Sequence, residues 1–204
     1  MKFGLYPRLA LAGIRKNKRL YIPYLLTCTG MAMMYYIIIF LQHNEMLDGM
    51  RGGTTASTIL ALGGWVVAIF ACIFLFYTNS FLIRRRKKEF GLYNILGMDK
   101  KNISILLFWE SLITSAISLF CGLVLGVALS KLAELGLIKA MSRTEVSYFF
   151  YVSPTAILLT TGVFSVIFLL LFLNSVRQIM SADAVTLLRS ESLGEKPPKA
   201  NPLL

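Results

Sequence analysis

The chain has 204 residues, 56% of them apolar and 15% charged, and its 21 Lys and Arg against 10 Asp and Glu give a formal net charge of +11. A soluble domain carries about 25% charged residues, so this composition, with a mean hydropathy of +0.68, leaves too little polar surface to enclose one water-soluble core. Disorder, collagen and a disulfide scaffold are excluded on the same grounds, and a protein that crosses a membrane several times remains.

The N-terminal segment, residues 1–19, has no long apolar run ahead of its basic cluster, so no cleavable signal peptide is expected. Phe3, Tyr6, Leu9, Ala10, Gly13 and Ile14 recur at spacings of three and four, while Arg8, Arg15, Lys16, Lys18 and Arg19 occupy the remainder. That pattern predicts an amphipathic helix lying on the membrane surface. The alternative is a frayed basic segment that only fixes topology.

A membrane helix needs about 20 mostly apolar residues. Stretches free of Asp, Glu, Lys and Arg, trimmed at their polar ends, place spans at residues 21–41, 59–83, 103–129 and 155–173, with Glu110 as the one acid inside them. No strand-like alternation is present, so the predicted fold is all-α: a four-helix membrane bundle. Pro23 falls in the first turn of the first span and predicts a bend there. Ser153 and Pro154 predict the start of the fourth span, the serine as cap and the proline at the first helical position.

Lys and Arg are retained on the cytoplasmic side of membrane spans. Seventeen basic residues lie before the first span, between the second and third, and after the fourth; four, Arg51, Lys131, Lys139 and Arg143, lie on the other side. Both termini are therefore expected in the cytoplasm. The charge excess is explained by topology, and no nucleic-acid partner is expected. The outer loops, about residues 42–58 and 130–153, are too short for an independent domain, which needs about 50 residues.

Catalytic chemistry finds little support. Cys28, Cys72 and Cys121 lie in separate apolar runs, His43 is the single histidine, and no cofactor or metal site is expected on this chain. His43, Glu45 and Asp48 share one outer loop without a nucleophile motif. No GxxxxGK[ST] phosphate loop occurs in these residues.

The middle basic loop is the informative one. After Arg84–Lys88 come Glu89, Phe90, Gly91, Leu92, Tyr93, Asn94, Ile95, Leu96, Gly97 and Met98. Glu89, Tyr93 and Leu96 share one helical face, and Gly97 is placed to end a short helix over about residues 87–98. Its apolar residues either meet a protein partner or tuck into the lipid interface. On the third span, Thr114, Ser118, Gly122, Gly126 and Ser130 recur every fourth residue, a small-residue stripe that lets another helix approach closely. Glu110 is expected to be protonated or hydrogen-bonded toward Asn79 or Ser80, with a relay or gating role as the alternative. Tyr148, Phe149, Phe150 and Tyr151 read as an aromatic belt just outside the fourth span, or as an outer rim for a lipid-linked ligand.

The run FYTNSFLIRRRKKEFGLYNILGM, from Phe76 to Met98, resembles the signature of FtsX-like ABC transporter permeases, and more narrowly of bacitracin-export-type permeases. The stretch from Ala10 to Arg19, Leu187-Leu188-Arg189 and Gly194-Glu195-Lys196 agree with it. The resemblance implies that Glu89, Phe90, Gly91, Leu92, Tyr93, Leu96 and Gly97 form a coupling helix docking on a separate cytoplasmic ATPase, a dimer that holds ATP and Mg²⁺. It implies export or detoxification of an antimicrobial peptide, with lipid, a second permease half or copy, and a sensor kinase as further partners. Permeases of this type are much longer, with a large extracellular domain. Residues 181–204 resemble the linker before a fifth span, so the chain is expected to be the N-terminal half of such a protein, with a complete four-span half-transporter as the lesser alternative. The rival reading is a non-transporting membrane adaptor that recruits or regulates a cytoplasmic partner.

Overall fold

The computed structural model describes residues 5–43, 52–140 and 152–181. Among them are five helices: α1 (Leu5–Lys16), α2 (Lys18–Gln42), α3 (Gly53–Ile95), α4 (Lys100–Ala140) and α5 (Pro154–Met180). Each of α2, α3, α5 and residues 100–136 of α4 is long and apolar enough to cross a membrane. Inside a bilayer every backbone N–H and C=O must be satisfied within the segment, which is why these apolar runs are helical.

The helices form a ring in the order α2, α3, α5, α4. Helix α2 also reaches α5 across the middle, whereas α3 and α4 hardly touch. The main core is accordingly built around α2, from Tyr21, Tyr24, Cys28, Ala32, Tyr35, Tyr36, Ile39 and Phe40. A second, smaller core of Ile83, Phe90, Ile103, Leu107 and Ile179 closes the end of the bundle near α1.

The α4 stripe faces α2. Thr114, Ser118, Gly122, Gly126 and Ser130 are all buried, and the same four-residue step reaches Glu110 on one side and Glu134 on the other. A Cβ on Gly122 would lie 2.8 Å from Ala32 Cβ and 3.0 Å from the Thr29 carbonyl oxygen; one on Gly126 would lie 2.8 Å from the Tyr36 ring. Close helix approach therefore depends on these two residues lacking a side chain.

Helix α5 begins as expected: Pro154 is at its start, and Ser153 Oγ accepts from Ala156 N–H at 3.3 Å. It is joined to α3 by polar side chains. Asn79 Nδ2 donates to Ser175 Oγ at 2.7 Å and to the Leu171 carbonyl at 3.2 Å, while Ser80 Oγ accepts from Asn174 and Gln178. In an apolar medium such bonds hold helices together where the hydrophobic effect cannot.

Two elements depart from expectation. Helix α1 does not rest on lipid alone: its apolar face packs against α4, with Ala10 fully buried and Tyr6 Oη donating to Asn102 Oδ1 at 3.2 Å. The segment expected as a separate helix at 87–98 is the end of α3, which runs without interruption from Gly53 to Ile95. At 1.5 Å per residue those 43 residues extend about 65 Å, roughly twice the ~30 Å of a hydrocarbon core. Lys, Arg, Glu and Leu are good helix formers, so the backbone continues through the basic run. Pro23 sits inside α2, and the break in the chain comes earlier, at Asn17 between α1 and α2.

Candidate functional site

The candidate functional region is the end of α3 and the turn that follows it, residues 84–98. The buried face of α3 follows Ala71, Leu75, Asn79, Leu82, Arg86 and Phe90, steps of three and four that pass straight through the basic run. Arg84 and Arg85 are exposed; Arg86 is 1% exposed.

Arg86 is the centre of an ionic hub. Its Nη2 donates to Glu110 Oε1 at 2.9 Å, its Nη1 to Glu110 Oε2 and to Tyr21 Oη, and its Nε to Glu89 Oε2 at 3.1 Å. A guanidinium has five N–H donors in a rigid fork, and four meet an acceptor here. Phe90 lies flat beneath the group, 4.8 Å from its carbon to the ring centre, and Tyr21 lies at 5.4 Å. Tyr21 Oη also donates to Glu110 Oε2 at 3.0 Å. Glu89 is held from its other side by Asn17 Nδ2, at 2.8 and 2.9 Å from its two oxygens. This explains why Asn17, the N-cap of α2, makes no capping hydrogen bond of its own.

Helix α1 completes the hub. A Cβ on Gly13 would fall 2.9 Å from Glu110 Oε1 and 3.5 Å from Arg86 Nη2, so a side chain there would have to displace the ion pair as it stands. A cavity of about 30 Å³, lined by Tyr21, Tyr24, Asn79, Glu110, Ser111, Thr114 and Ser175 among others, opens beside it. Its size suits one or two water molecules, with Asn79, Glu110, Thr114 and Ser175 as polar partners among the apolar walls of Leu82, Ile83, Leu107 and Phe172.

Beyond Arg86 the helix becomes an arm with two faces. Phe90 is buried against α4 and α5, and Gly91 beside it is buried too. Leu92, Ile95 and Leu96 point away and are 52%, 61% and 73% exposed. Glu89 and Tyr93 are half-buried, and Gly97 is exposed. The arm ends in a Schellman turn: Gly97 takes φ 91°, its N–H donates to Asn94 O at 3.1 Å, and the Met98 N–H donates to Tyr93 O at 2.9 Å. Asn94 Nδ2 reaches the Met98 carbonyl, and Lys100 Nζ reaches the Met180 carbonyl at the end of α5. Because an L side chain at positive φ costs about 1–2 kcal/mol, Gly97→Ala is expected to speed amide exchange at Met98 by about five- to thirtyfold; unchanged exchange would show that the turn does not depend on this glycine.

The residues expected at the coupling segment thus divide. Leu92 and Leu96 form a free apolar surface with Ile95. Phe90 and Gly91 belong to the bundle, Glu89 to the hub, and Tyr93 and Gly97 to the turn. Glu110 is hydrogen-bonded as expected, but to Arg86 and Tyr21; Asn79 and Ser80 are engaged with α5. Arg86, Tyr21 and Asn17 were not distinguishable as site residues by type. The signal that could have singled out Arg86 is its position on the apolar stripe. His43 Nδ1 lies 3.0 Å from the Ile39 carbonyl at the end of α2; Glu45, Asp48 and the aromatic run Tyr148–Tyr151 lie outside the described residues, as does the stretch 182–204. No cluster of metal-ligating side chains occurs among the described residues.

A chain whose described residues are helical throughout but for short turns, with four such apolar helices folded about a buried ion pair, is a multi-pass membrane protein. Residues 61–184, more than half of the chain, match the family model described as FtsX-like permease C-terminal, and the chain belongs to the FtsX-like permease family. It is 27% identical over 96% of its length to the uncharacterized ABC transporter permease YvcS of Bacillus subtilis, of which it covers 30%. It is 26% identical over 92% of its length to the bacitracin export permease proteins BceB of Halalkalibacterium halodurans and of Bacillus subtilis, covering 29% of each. The chain therefore spans under a third of the length of these curated relatives.

Proposed function

We propose that this chain is the part of an ABC transporter permease that couples ATP hydrolysis, carried out by a separate ATPase, to movement of the membrane helices. The observation that carries this is the exposed apolar surface of Leu92, Ile95 and Leu96, set on a helix that outruns the apolar span and ends in a defined turn. An apolar patch presented on a rigid arm beyond the bilayer calls for a protein partner. The 17-to-4 distribution of basic residues supports a cytoplasmic position for that arm and both termini in a bacterial cell, where an ATPase has its nucleotide. ATP and Mg²⁺ are held by that partner, and a second permease half or copy completes the transport unit. The names of the BceB relatives support an antimicrobial peptide such as bacitracin as the substrate class.

The test is capture of the ABC ATPase by the purified chain. Leu92→Asp and Leu96→Asp each place a charge in the apolar contact and are expected to weaken capture at least about tenfold, since 1.4 kcal/mol is one decade. Glu89→Ala is a poorer probe, because Glu89 is tied to Arg86 and Asn17. If the wild type captures no ABC ATPase, or both variants capture it as well as the wild type does, the docking surface lies elsewhere. Deleting the gene is expected to sensitise cells to bacitracin; unchanged resistance with capture intact would favour the adaptor reading.

A further inference from the structure

We propose that Arg86 is a positioning residue through which displacement of the α3 arm is delivered to α2 and α4. The inference rests on the docking reading above and goes beyond it, since it names the point where the arm is joined to the bundle.

Three observations carry it. First, Arg86 sits at the root of the arm, with the apolar span on one side and Leu92, Ile95 and Leu96 on the other, in one unbroken helix. Any shift of the exposed tip must pass this residue. Second, the Arg86–Glu110 pair bridges two helices that make few contacts with each other, beside a small cavity. The two helices meet only at this end of the bundle, where the ion pair is joined by the small core of Ile83, Phe90, Ile103 and Leu107. Third, the hub gathers every preceding element: Gly13 of α1 is packed on it, Asn17 at the α1–α2 break bonds Glu89, and Tyr21 of α2 shares both Arg86 and Glu110. One guanidinium lies between two carboxylates, Glu89 on its own helix and Glu110 on α4. The arm and the bundle thus hold the same cation from opposite sides.

A structural role alone makes a different prediction. Replacing both members of a buried ion pair by apolar residues of similar volume is often neutral or stabilising. If the pair only fills space, Arg86→Met/Glu110→Leu keeps the function. If it delivers displacement, the double variant folds, binds the ATPase and fails to move.

The experiment uses the chain in lipid nanodiscs with its ABC ATPase, with Cys72 and Cys121 replaced by Ala. Spin labels replace Ile59 and Leu158, exposed residues near the starts of α3 and α5. Trapping the ATPase with ADP and vanadate is expected to shift the label distance by several ångströms in the wild type. In the double variant, capture of the ATPase is expected to stay within about twofold and the shift to be lost. Glu110→Gln, which keeps the shape and one acceptor oxygen but not the charge, is the second arm and is expected to shrink the shift. A full shift in both variants overturns the proposal, as does a wild type that binds the ATPase and does not move. Failure of the wild type to bind any ABC ATPase overturns the docking reading, and this proposal with it.

Discussion

Arg86→Met alone is expected to lower the stability of the chain by about 3–5 kcal/mol, the usual cost of leaving one member of a buried ion pair without the other. The residue lost supplies four hydrogen bonds and stacks against Phe90, and Glu110 would remain 3% exposed with Tyr21 as its partner. A carboxylate inside an apolar bundle is costly unless paired. The measurement is the thermal midpoint of the purified protein together with its steady-state level in membranes. Arg86→Met/Glu110→Leu is expected to return to within about 1 kcal/mol of the wild type, because no buried charge is then stranded: Glu89 is partly exposed and keeps its hydrogen bonds to Asn17. If the single variant is as stable as the wild type, water reaches the hub freely and the pair is not buried in solution.

The second large effect is expected at the α2–α4 contact. Gly122→Leu must push Ala32 and the Thr29 carbonyl away from positions 2.8 and 3.0 Å from the new Cβ, and neither is the end of a flexible side chain. The helices must separate along their length, at a cost of about 3 kcal/mol, the upper part of the range for overpacking. Gly162→Leu on α5 is the control: nothing lies within 4 Å of its Cβ, and it is expected to change stability by less than about 0.5 kcal/mol. Equal melting temperatures for the two variants would show that the helices are not closely packed at Gly122.

Much of this architecture was legible in the sequence. The four apolar runs are the four long helices, because length and hydropathy are the quantities a bilayer selects on. The stripe from Thr114 to Ser130 was readable because small residues at a fixed helical step have one physical use in lipid. The start of α5 was readable from Ser153 and Pro154. The end of α3 was not. Counting charges to end a span treats Arg84–Lys88 as a boundary, but the helical backbone is indifferent to leaving the lipid, and no residue there breaks it. Gly91, close to the end of α3, stays helical and is buried. The partner of Glu110 was missed for a related reason. Arg86 was counted as one basic residue among many on its side of the membrane, although its step of four from Leu82 and to Phe90 aims it inward. Likewise the apolar face of α1 was correctly drawn while its counterpart, α4, could not be read from α1 alone.

The unbroken course of α3 has a mechanical consequence. Ile95 lies nine residues beyond Arg86 and Gly53 lies 33 before it, which at 1.5 Å per residue is about 14 Å and about 50 Å. With Arg86 as fulcrum, α3 is a lever whose long limb is roughly 3.5 times its short one. A sideways push of about 2 Å at the tip becomes about 7 Å at the opposite surface, enough to move the start of α3 against its neighbours without bending the rod or breaking a backbone hydrogen bond.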